Sequence, residues 1–494
     1  MTAMTDVIVV GGGPAGMMVA GELALADVEV TVVERRSTAD LVGSRAGGFH
    51  ARTIEILDSR GIADRFLAEG QITQTARFGS TTLDISDFPT RHPYGLALWQ
   101  NRIEPILRNW IEALGVQVER GRDVTGVVQD AEGVDAESAD GRTMRAKYLV
   151  GADGGRSVVR KAAGIDFPGW DATRSNLIAE VEVTQDPPSG MRQDETGVHG
   201  LHPMPGGRMY RVVTTERQLG GSEEPTLADL SSALTSVFGT DFGIHSPTWI
   251  SRFTDATRQA AAYRSGRILL AGDAAHIHYP AGGQGIGLAI QDAVNLGWKL
   301  AQAVKDISPP SLLDTYHAER HPAGARALQL SMAQTVLQRA DPRTAALSDA
   351  IDDILMTPAA RTRLAARIHG LDIAYDLGGG HPLIGRRMPD LDLDSEAGPT
   401  RVYQLLHEAQ PLLINFATPQ RIDISPWADR VRMVDAAFAG AWDVPALGEV
   451  PSPTAVLIRP DGHVAWVENG ADEPLADALT RWFGPATAPS PDSV

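Results

Sequence analysis

Two glycine-containing segments near the middle of the chain have the residue types of a ligand-binding loop. The first, 267–276, is an apolar run that ends in Gly272-Asp273, and the second, 280–285, contains three glycines. Glycine lets the backbone approach a flat or charged ligand closely, and an aspartate carboxylate can accept hydrogen bonds from ligand hydroxyls. We therefore expect a ligand with hydroxyl groups to lie along these two segments.

The N-terminus carries a second candidate binding site. The pattern Gly11-x-Gly13-x-x-Gly16 follows the apolar run 7–10, Pro14 suits a first helical position, and a second predicted strand, 28–33, ends at Glu34. This order of strand, turn, helix, strand and acid is typical of a dinucleotide site, with phosphate at the helix N-terminus and the acid on ribose hydroxyls. Two distant segments that hold one long ligand favour FAD.

The composition limits the function classes. A chain of 494 residues predicts two to four domains, and a net charge of −18 disfavours nucleic acid and anionic membranes as partners. The absence of cysteine excludes disulfides, thiolate catalysis and cysteinyl-flavin links, so FAD is expected to bind non-covalently. The start lacks the pattern of a secretory signal, and no run approaches the roughly 20 apolar residues of a membrane helix. We expect a cytoplasmic protein.

The element pattern predicts an α/β fold in which a Rossmann-like FAD-binding domain carries an inserted β-sheet domain. The strand-like runs 177–183 and 209–215 indicate the insertion, and an amphipathic helix is predicted over 286–304. The expected units are 1–175 (FAD-binding domain, first part, with 75–100 contributing to the substrate domain), 176–262 (substrate domain), 263–375 (FAD-binding domain, second part and helices), 383–485 (a C-terminal α/β domain) and 486–494 (a disordered tail).

Further local predictions concern single elements. The pattern over 116–150 predicts a small antiparallel layer on the nucleotide fold. Further along, Pro322 is expected to end a helix that contains an internal ion pair. In the C-terminal unit, strands are predicted at 405–406 and 412–416, and a hairpin over 455–467 turns at Pro460-Asp461-Gly462.

Three motifs occur in order along the chain. They are Gly11-x-Gly13-x-x-Gly16 with Glu34, the segment 148–160 that contains Gly151-Ala152-Asp153-Gly154, and Gly272-Asp273 followed by 280–285. Together they resemble the class A flavoprotein aromatic hydroxylases, which are single-component FAD-dependent monooxygenases. The segments 251–253, 271–277 and 291–300 are similar to the actinobacterial branch that tailors aromatic polyketides and includes rifampicin-type monooxygenases. In that branch the C-terminal domain is thioredoxin-like.

The resemblance implies a set of cofactor-binding residues. They are Gly11, Gly13, Pro14, Ala15 and Gly16 at the pyrophosphate, Glu34 and Arg35 at the adenosine end, Arg45 and Gln100 at the flavin, Asp153 in the motif shared by FAD and NAD(P)H, Asp273 on the ribityl hydroxyls, and Pro280, Gly283, Gly285 and Ile286 beside the isoalloxazine ring. Because the chemistry is centred on the flavin, no acid–base triad is expected. The candidate catalytic residues are Arg45, Pro280 and Arg211.

The activity that the resemblance implies is hydroxylation of a phenolic, polycyclic polyketide or antibiotic through a C4a-hydroperoxyflavin. NADPH or NADH and O2 are the expected co-substrates, and the expected assembly is a monomer or homodimer. One alternative keeps the flavin but performs Baeyer–Villiger or another oxidative tailoring step. Others are a nicotinamide dehydrogenase that uses only the first fingerprint and a non-catalytic flavoprotein that binds an aromatic compound.

Several single residues allow two interpretations. His276 and His278 could form a metal pair, but loop packing is favoured because no suitable further ligands stand nearby, and no metal is expected. Arg211 could point at the substrate or outward from its strand, and Trp298 is expected in the core.

Two positions depart from the family pattern. Gly287 stands where family members commonly have Asn, two residues after the last glycine of the 280–285 loop, so the contact of that side chain is absent. Trp99 precedes Gln100 where the family has Pro, which predicts a bulkier wall at that side of the site.

Overall fold

The computed structural model describes residues 4–188, 190–204, 206–221, 223–416, 422–468 and 472–487. The strands before residue 175 are β1 Thr5–Val10, β2 Val30–Glu34, β3 Gly48–Phe49, β4 Gln71–Thr73, β5 Thr75–Phe78, β6 Thr81–Asp84, β7 Gly95–Ala97, β8 Gln117–Arg120, β9 Val124–Gln129, β10 Val134–Ser138, β11 Thr143–Gly151 and β12 Gly169–Trp170. The strands from 175 to 277 are β13 Ser175–Glu182, β14 Gly190–Gln193, β15 Val198–Pro203, β16 Met209–Thr215, β17 His245–Thr254, β18 Thr257–Gln259, β19 Arg264–Ser265, β20 Ile268–Leu270 and β21 His276–Ile277.

The remaining strands belong to the C-terminal region. They are β22 Asp392–Ser395, β23 Gly398–Arg401, β24 Leu412–Asn415, β25 Arg432–Ala437, β26 Asp443–Val444, β27 Gly448–Glu449, β28 Ala455–Ile458 and β29 Val464–Val467. The helices are α1 Pro14–Leu25, α2 Ala51–Asp58, α3 Ala63–Leu67, α4 Gln100–Ala113, α5 Val158–Ala162, α6 Leu227–Phe238, α7 Gly285–Val304, α8 Asp314–Leu337, α9 Pro342–Leu355, α10 Pro358–Ile368, α11 Val402–Leu405 and α12 Leu475–Phe483. None of these helices is long and apolar enough to span a bilayer, within the ranges given above.

An eight-stranded sheet forms the base of the cofactor site, in the order β19-β20-β11-β1-β2-β8 with β10 and β9 continuing from β11. The pairs β20–β11, β11–β1, β1–β2 and β2–β8 are parallel. Val7, Ile8 and Val9 are fully buried in the central strand, as expected for a strand covered on both faces. The prediction of a small antiparallel layer over 116–150 is wrong in part. β9 and β10 are antiparallel, but β8 and β11 pair in parallel with strands of the main sheet.

A five-stranded antiparallel sheet in the order β14-β15-β16-β13-β17 confirms the predicted strands at 177–183 and 209–215. Helix α6 and apolar side chains such as Leu177 and Val181 bury one face. The alternate residues of β13 point to the opposite face, since successive side chains of a strand alternate. That face meets the cofactor domain, where Phe253 of β17 packs on Tyr279 with ring centroids 5.7 Å apart.

The strands of the region 75–100 do not pair with this sheet, and the expected contribution of that region to the substrate domain stays a prediction. β5 pairs only with β6, and the hairpin contacts α9 and α10, where Arg361 bonds the Asp87 carboxylate at 2.6 Å and Ser80 bonds Asp352 at 3.1 Å. β4 and β7 join β3 in a separate three-stranded sheet. The hairpin thus braces the helices behind the 280–285 loop.

Pro322 lies inside α8 and does not end it, so that prediction is wrong. Interior proline costs about 3 kcal/mol, but α8 is anchored on both sides of it by fully buried Arg320 and by Leu328 and Ser331. The expected internal ion pair is also absent from its described contacts: Glu319 and Arg320 pair with residues of other elements.

The C-terminal region contains a six-stranded mixed sheet in the order β23-β22-β25-β24-β28-β29. The predicted hairpin at 455–467 is confirmed, whereas 405–406 lies at the end of α11 and is not a strand. Of the predicted disordered tail, 488–494 lie outside the described residues, and Thr487 donates to the Pro426 carbonyl through its N–H at 2.9 Å.

Candidate active site

The turn after β1 has the shape of a phosphate cradle. Gly11 has φ +111°, and a Cβ there would lie 2.3 Å from the Ala152 carbonyl oxygen, so only glycine fits. Gly13 precedes α1, which begins at Pro14, and no atom lies within 4 Å of a Cβ built at Gly13. Open space in front of the first helical N–H groups is what a pyrophosphate requires.

Glu34 is buried at the end of β2 beside this turn. Its carboxylate accepts from the Gly12 N–H at 2.6 Å and from the Arg36 N–H at 2.8 Å. Burial opposes ionisation, but the N–H groups of Arg36 and Gly12 and the Arg36 guanidinium outweigh it and lower the pKa of Glu34. Arg35 is exposed, and its role at the adenosine end stays a prediction. Sequence reasoning did not single out Arg36. The two-residue period of an extended chain, which puts 34 and 36 on one side, could have indicated it.

A chain of polar contacts runs from Arg36 to the start of α4. Arg36 pairs with Glu104 at 2.9 Å, and the Gln100 side chain donates to the other Glu104 oxygen at 2.9 Å. Gln100 also accepts from the Ala46 N–H at 3.4 Å, and its own N–H donates to the Ala46 carbonyl at 3.1 Å. Gln100 therefore fixes the loop that carries Arg45. Glu104 is a further residue that the sequence did not single out.

The charges of Arg45 and Asp273 interact in the folded protein. Arg45 donates to the Ser251 hydroxyl at 2.7 Å, which ties the cofactor domain to β17. Burial lowers the pKa of the Arg45 guanidinium, the carboxylate of Asp273 opposes that shift, and Arg156 and Arg35 add to it. The predicted arginine and the predicted ribityl anchor are thus close enough for their charges to interact.

The Gly-Asp turn presents one exposed carboxylate on a buried support. Gly272 has φ +61°, and Asp273 is exposed while Ala274 and Ala275 behind it are fully buried. His276 bonds Asp292 at 2.6 Å and His278 lies 3.2 Å from the Ser331 hydroxyl. The two histidines pack the loop, as predicted.

One side of the 280–285 loop is fixed by contacts with other residues, and the other side is open. His50 bonds the Gly282 carbonyl at 2.7 Å, and a Cβ at Gly282, where φ is +77°, would lie 2.2 Å from the Gln334 side-chain oxygen. Cβ atoms at Gly283 and Gly285 would meet nothing closer than 3.8 Å and 3.7 Å. The Gly283 N–H donates to the Pro280 carbonyl at 3.1 Å. The first turn of α7 follows, and the first N–H groups of a helix have no acceptor within the helix, so they can face a planar ligand.

Gly287 lines a small cavity of about 30 Å³ together with His50 and Gln284 of this region. A Cβ at Gly287 would lie 2.7 Å from the Thr53 hydroxyl oxygen. His369 also lines the cavity, and its Nδ1 accepts from the Ala51 N–H at 3.2 Å, which places the ring proton on Nε2. Neither this Nε2 nor the Thr53 hydroxyl has a hydrogen-bond partner in the part of the chain that the structure describes. An Asn side chain at position 287 would therefore require the Thr53 side chain to move.

The Asp153 carboxylate accepts hydrogen bonds from the residues that follow it and so stabilises this segment. The carboxylate accepts from the Ser157 hydroxyl at 2.6 Å and from the N–H groups of Val158 and Val159 at 2.7 and 3.2 Å. These contacts cap α5 and shape the turn that Gly11 packs against. A cofactor role for the Asp153 side chain stays a prediction.

Arg211 is buried, which excludes the outward-facing interpretation. Its guanidinium lies 4.1 Å from the ring centre of Trp99 and 3.4 Å from the Glu180 carboxylate. Burial lowers the pKa of Arg211, and Glu180 opposes the shift. Trp99 in turn covers Gly47, where a Cβ would lie 3.2 Å from the indole. Arg211 therefore lies on the sheet face that meets the cofactor domain.

Four features fit the groups of FAD: the acid Glu34 for the adenosine ribose, an open cradle at Gly13 for the pyrophosphate, the exposed carboxylate of Asp273 for the ribityl chain, and open Gly283 and Gly285 for the ring. A ligand with a phosphate bridge, two polyol segments and a flat ring matches that sequence of groups. The roles of the individual residues stay predictions.

Comparison with known proteins gives matches over nearly the whole chain. A family model described as an FAD binding domain matches residues 4–331, and one described as aromatic-ring hydroxylase, C-terminal, matches 381–486. The chain is 42% identical over 504 residues to 12-dehydrotetracycline 5-monooxygenase/anhydrotetracycline 6-monooxygenase of Streptomyces rimosus, covering 97% of this chain and 99% of that protein. Rifampicin monooxygenase of Streptomyces venezuelae is 42% identical over 493 residues, covering 98% and 100%. The solved structure of OxyS anhydrotetracycline hydroxylase from Streptomyces rimosus matches with a TM-score of 0.91 at 41% identity, covering 98% and 100%.

Proposed function

Because the chain belongs to the FAD-dependent aromatic-ring hydroxylases, we propose that it hydroxylates a phenolic, polycyclic polyketide or antibiotic with NADPH or NADH and O2. The chain is an FAD-dependent monooxygenase. The observation that carries the substrate proposal is a pair of arginine–tryptophan contacts at the five-stranded sheet. Buried Arg211 lies 4.1 Å from the ring centre of Trp99, and exposed Arg45 lies 6.0 Å from that of Trp249 on β17. Such pairs suit a flat aromatic ring that carries acidic or carbonyl oxygens.

The residues that would hold FAD extend along one cleft. The N–H groups after Gly13 would bind the pyrophosphate, Glu34 the adenosine ribose, Asp273 the ribityl hydroxyls and the 280–285 backbone the ring. Bound FAD supplies the redox chemistry, which takes a hydride from the nicotinamide and activates O2. We assign these roles from the open positions and the exposed carboxylate described above.

The five-stranded sheet provides the roof of the substrate pocket. On the face that meets the cofactor domain, Ile178 stands opposite Val213 and Ser251 in register. Apolar side chains there exclude water from the reacting atoms, which protects the activated oxygen from decay. Glu180 and Arg211 form the next row of that face. The guanidinium can donate to a phenolate or carbonyl oxygen of the substrate and so orient the ring carbon that is hydroxylated.

The proposal is tested with the purified FAD-loaded protein and a panel of polycyclic phenols that includes anhydrotetracycline and rifampicin. We expect one panel member to raise NADPH consumption and O2 uptake together and to give a product with one additional hydroxyl. A lactone or ester product, identified by NMR, would assign Baeyer–Villiger oxygenation instead. Tight binding of every ring without turnover would contradict catalysis. The proposed assembly is a monomer or homodimer in the cytoplasm, and sedimentation velocity distinguishes the two states.

A further inference from the structure

Asp292 of α7 lies fully buried beneath the Gly-Asp turn, and both of its carboxylate oxygens are used. One oxygen accepts from the Gly272 N–H at 3.2 Å and from His276 Nε2 at 2.6 Å, and the other accepts from Arg320 Nε at 2.8 Å. Burial opposes ionisation of Asp292, but His276 and Arg320 outweigh it and lower its pKa. We name these four residues the Asp292 clasp.

The clasp holds the turn on both sides of Asp273. Gly272 precedes the exposed carboxylate and His276 follows it three residues later, so two of the three donors to Asp292 bracket the group that faces the cleft. Asp292 itself is sealed from the cleft. Its contacts therefore determine where the Asp273 carboxylate stands and leave that carboxylate free for a ligand.

The third donor anchors the clasp to the rest of the molecule. Arg320 also donates to the Tyr375 hydroxyl at 3.1 Å, and the Tyr375 ring lies 4.3 Å from the ring of His463 in the C-terminal hairpin. The turn is thus fixed to α8 and, through it, to the C-terminal domain. A rigid support of this kind reduces the entropy lost when a ligand orders the turn.

We propose that Asp292 is a positioning residue for FAD, which fixes the turn that presents Asp273 to the ribityl chain without touching the cofactor. This inference rests on the proposed role of Asp273. All three partners of Asp292 are donors, so Asp292→Asn places an amide NH2 against a donor and leaves at least one buried N–H without an acceptor. The Gly272-Asp273 turn is then no longer held in one position, although the side chain at position 292 keeps its shape.

A matched control tests whether the effect is only loss of stability. Lys299 lies two helical turns further along α7, is also fully buried, and bonds Asn295 and Glu319 at 2.9 Å each. Its described contacts do not include residues 272–276. Lys299→Met should therefore destabilise the α7–α8 packing without altering the Gly-Asp turn.

The experiment measures the Kd of FAD by ultrafiltration of the holoenzyme, together with the Tm of the apoprotein and holoenzyme. We expect Asp292→Asn to raise the Kd at least about tenfold, which is the loss of about one hydrogen bond to a charged group, and Lys299→Met to change it by less than about threefold. If Asp292→Asn fails to fold, His276→Ala removes one donor of the clasp and should raise the Kd by a smaller factor.

A double-mutant cycle separates positioning from a general effect. If Asp292 acts through Asp273, Asp292→Asn should raise the Kd little further in the background of Asp273→Asn, so the two effects are less than additive. Full additivity, or a Kd that stays within about threefold of wild type in both Asp292→Asn and His276→Ala, would overturn the inference. An unchanged Kd in Asp273→Asn alone would instead contradict the proposed role of Asp273.

Discussion

Mild acid should destabilise this enzyme through His369, which lies behind the 280–285 loop. The side chain is 1% exposed, and burial together with neighbouring His50 lowers its pKa from 6.5 to about 3. The folded state therefore keeps the ring neutral, whereas the unfolded state takes up a proton below pH 6.5. Stability from this group is fully present above pH 6.5 and is lost progressively as the pH falls toward the folded pKa. At about pH 5 the loss amounts to about 2 kcal/mol.

The assay is urea unfolding of the holoenzyme between about pH 7.5 and about pH 5, compared with His369→Asn. The amide oxygen can still accept from the Ala51 N–H, which His369 accepts at 3.2 Å, but it does not titrate. The free energy of unfolding lost on acidification should be smaller by about 2 kcal/mol in the variant. Exposed His202 provides the control, and His202→Asn should leave the pH dependence unchanged. Equal acid losses in wild type and His369→Asn would show that His369 is not the group whose protonation destabilises the fold.

Three further predictions concern the cradle, the domain junction and the pocket. Gly13→Val should abolish FAD binding, seen by absent flavin absorbance, but leave the free energy of unfolding of the apoprotein within about 1 kcal/mol, since the new side chain enters only the open cradle. Glu319→Gln weakens the bidentate contact to buried Arg459, with distances of 2.8 and 2.7 Å, and should lower the free energy of unfolding by about 3–5 kcal/mol in urea titrations. Arg211→Met should lower kcat/KM for the phenolic substrate by about tenfold to hundredfold while the Kd of FAD is unchanged, because it removes a charge-assisted hydrogen bond. An equal loss of FAD affinity would instead indicate that Arg211 contributes to binding of the cofactor.

The cofactor cleft was largely predictable because its parts stand where apolar strands end. The runs before Gly11 and Gly272 are continuous enough to identify buried parallel strands, and β1 and β20 are separated only by β11 in the sheet. The glycines and acids that follow such strands must therefore meet at one edge. The hairpin at 455–467 was predictable for a similar reason, since its turn residues permit few backbone conformations.

The supports of that cleft were not predictable, because they come from elements far apart in the chain. Asp292 reads as one polar residue in an amphipathic helix, and only the fold places it under Gly272. The continuation of α8 through Pro322 depends on packing that outweighs a local preference. The hairpin that follows residue 75 pairs with itself, since strand partners are set by tertiary contacts and not by β-propensity.

The most direct test of the proposed function is the fate of the oxygen atoms. The FAD-loaded enzyme is incubated with NADPH, ¹⁸O2 and the phenol that most increases NADPH consumption, and the product is analysed by mass spectrometry and NMR. We expect one ¹⁸O atom per product molecule, located in a new hydroxyl on the aromatic ring, with one NADPH consumed for each. A product without ¹⁸O, or substrate consumption that requires neither NADPH nor NADH, would contradict the proposed hydroxylation.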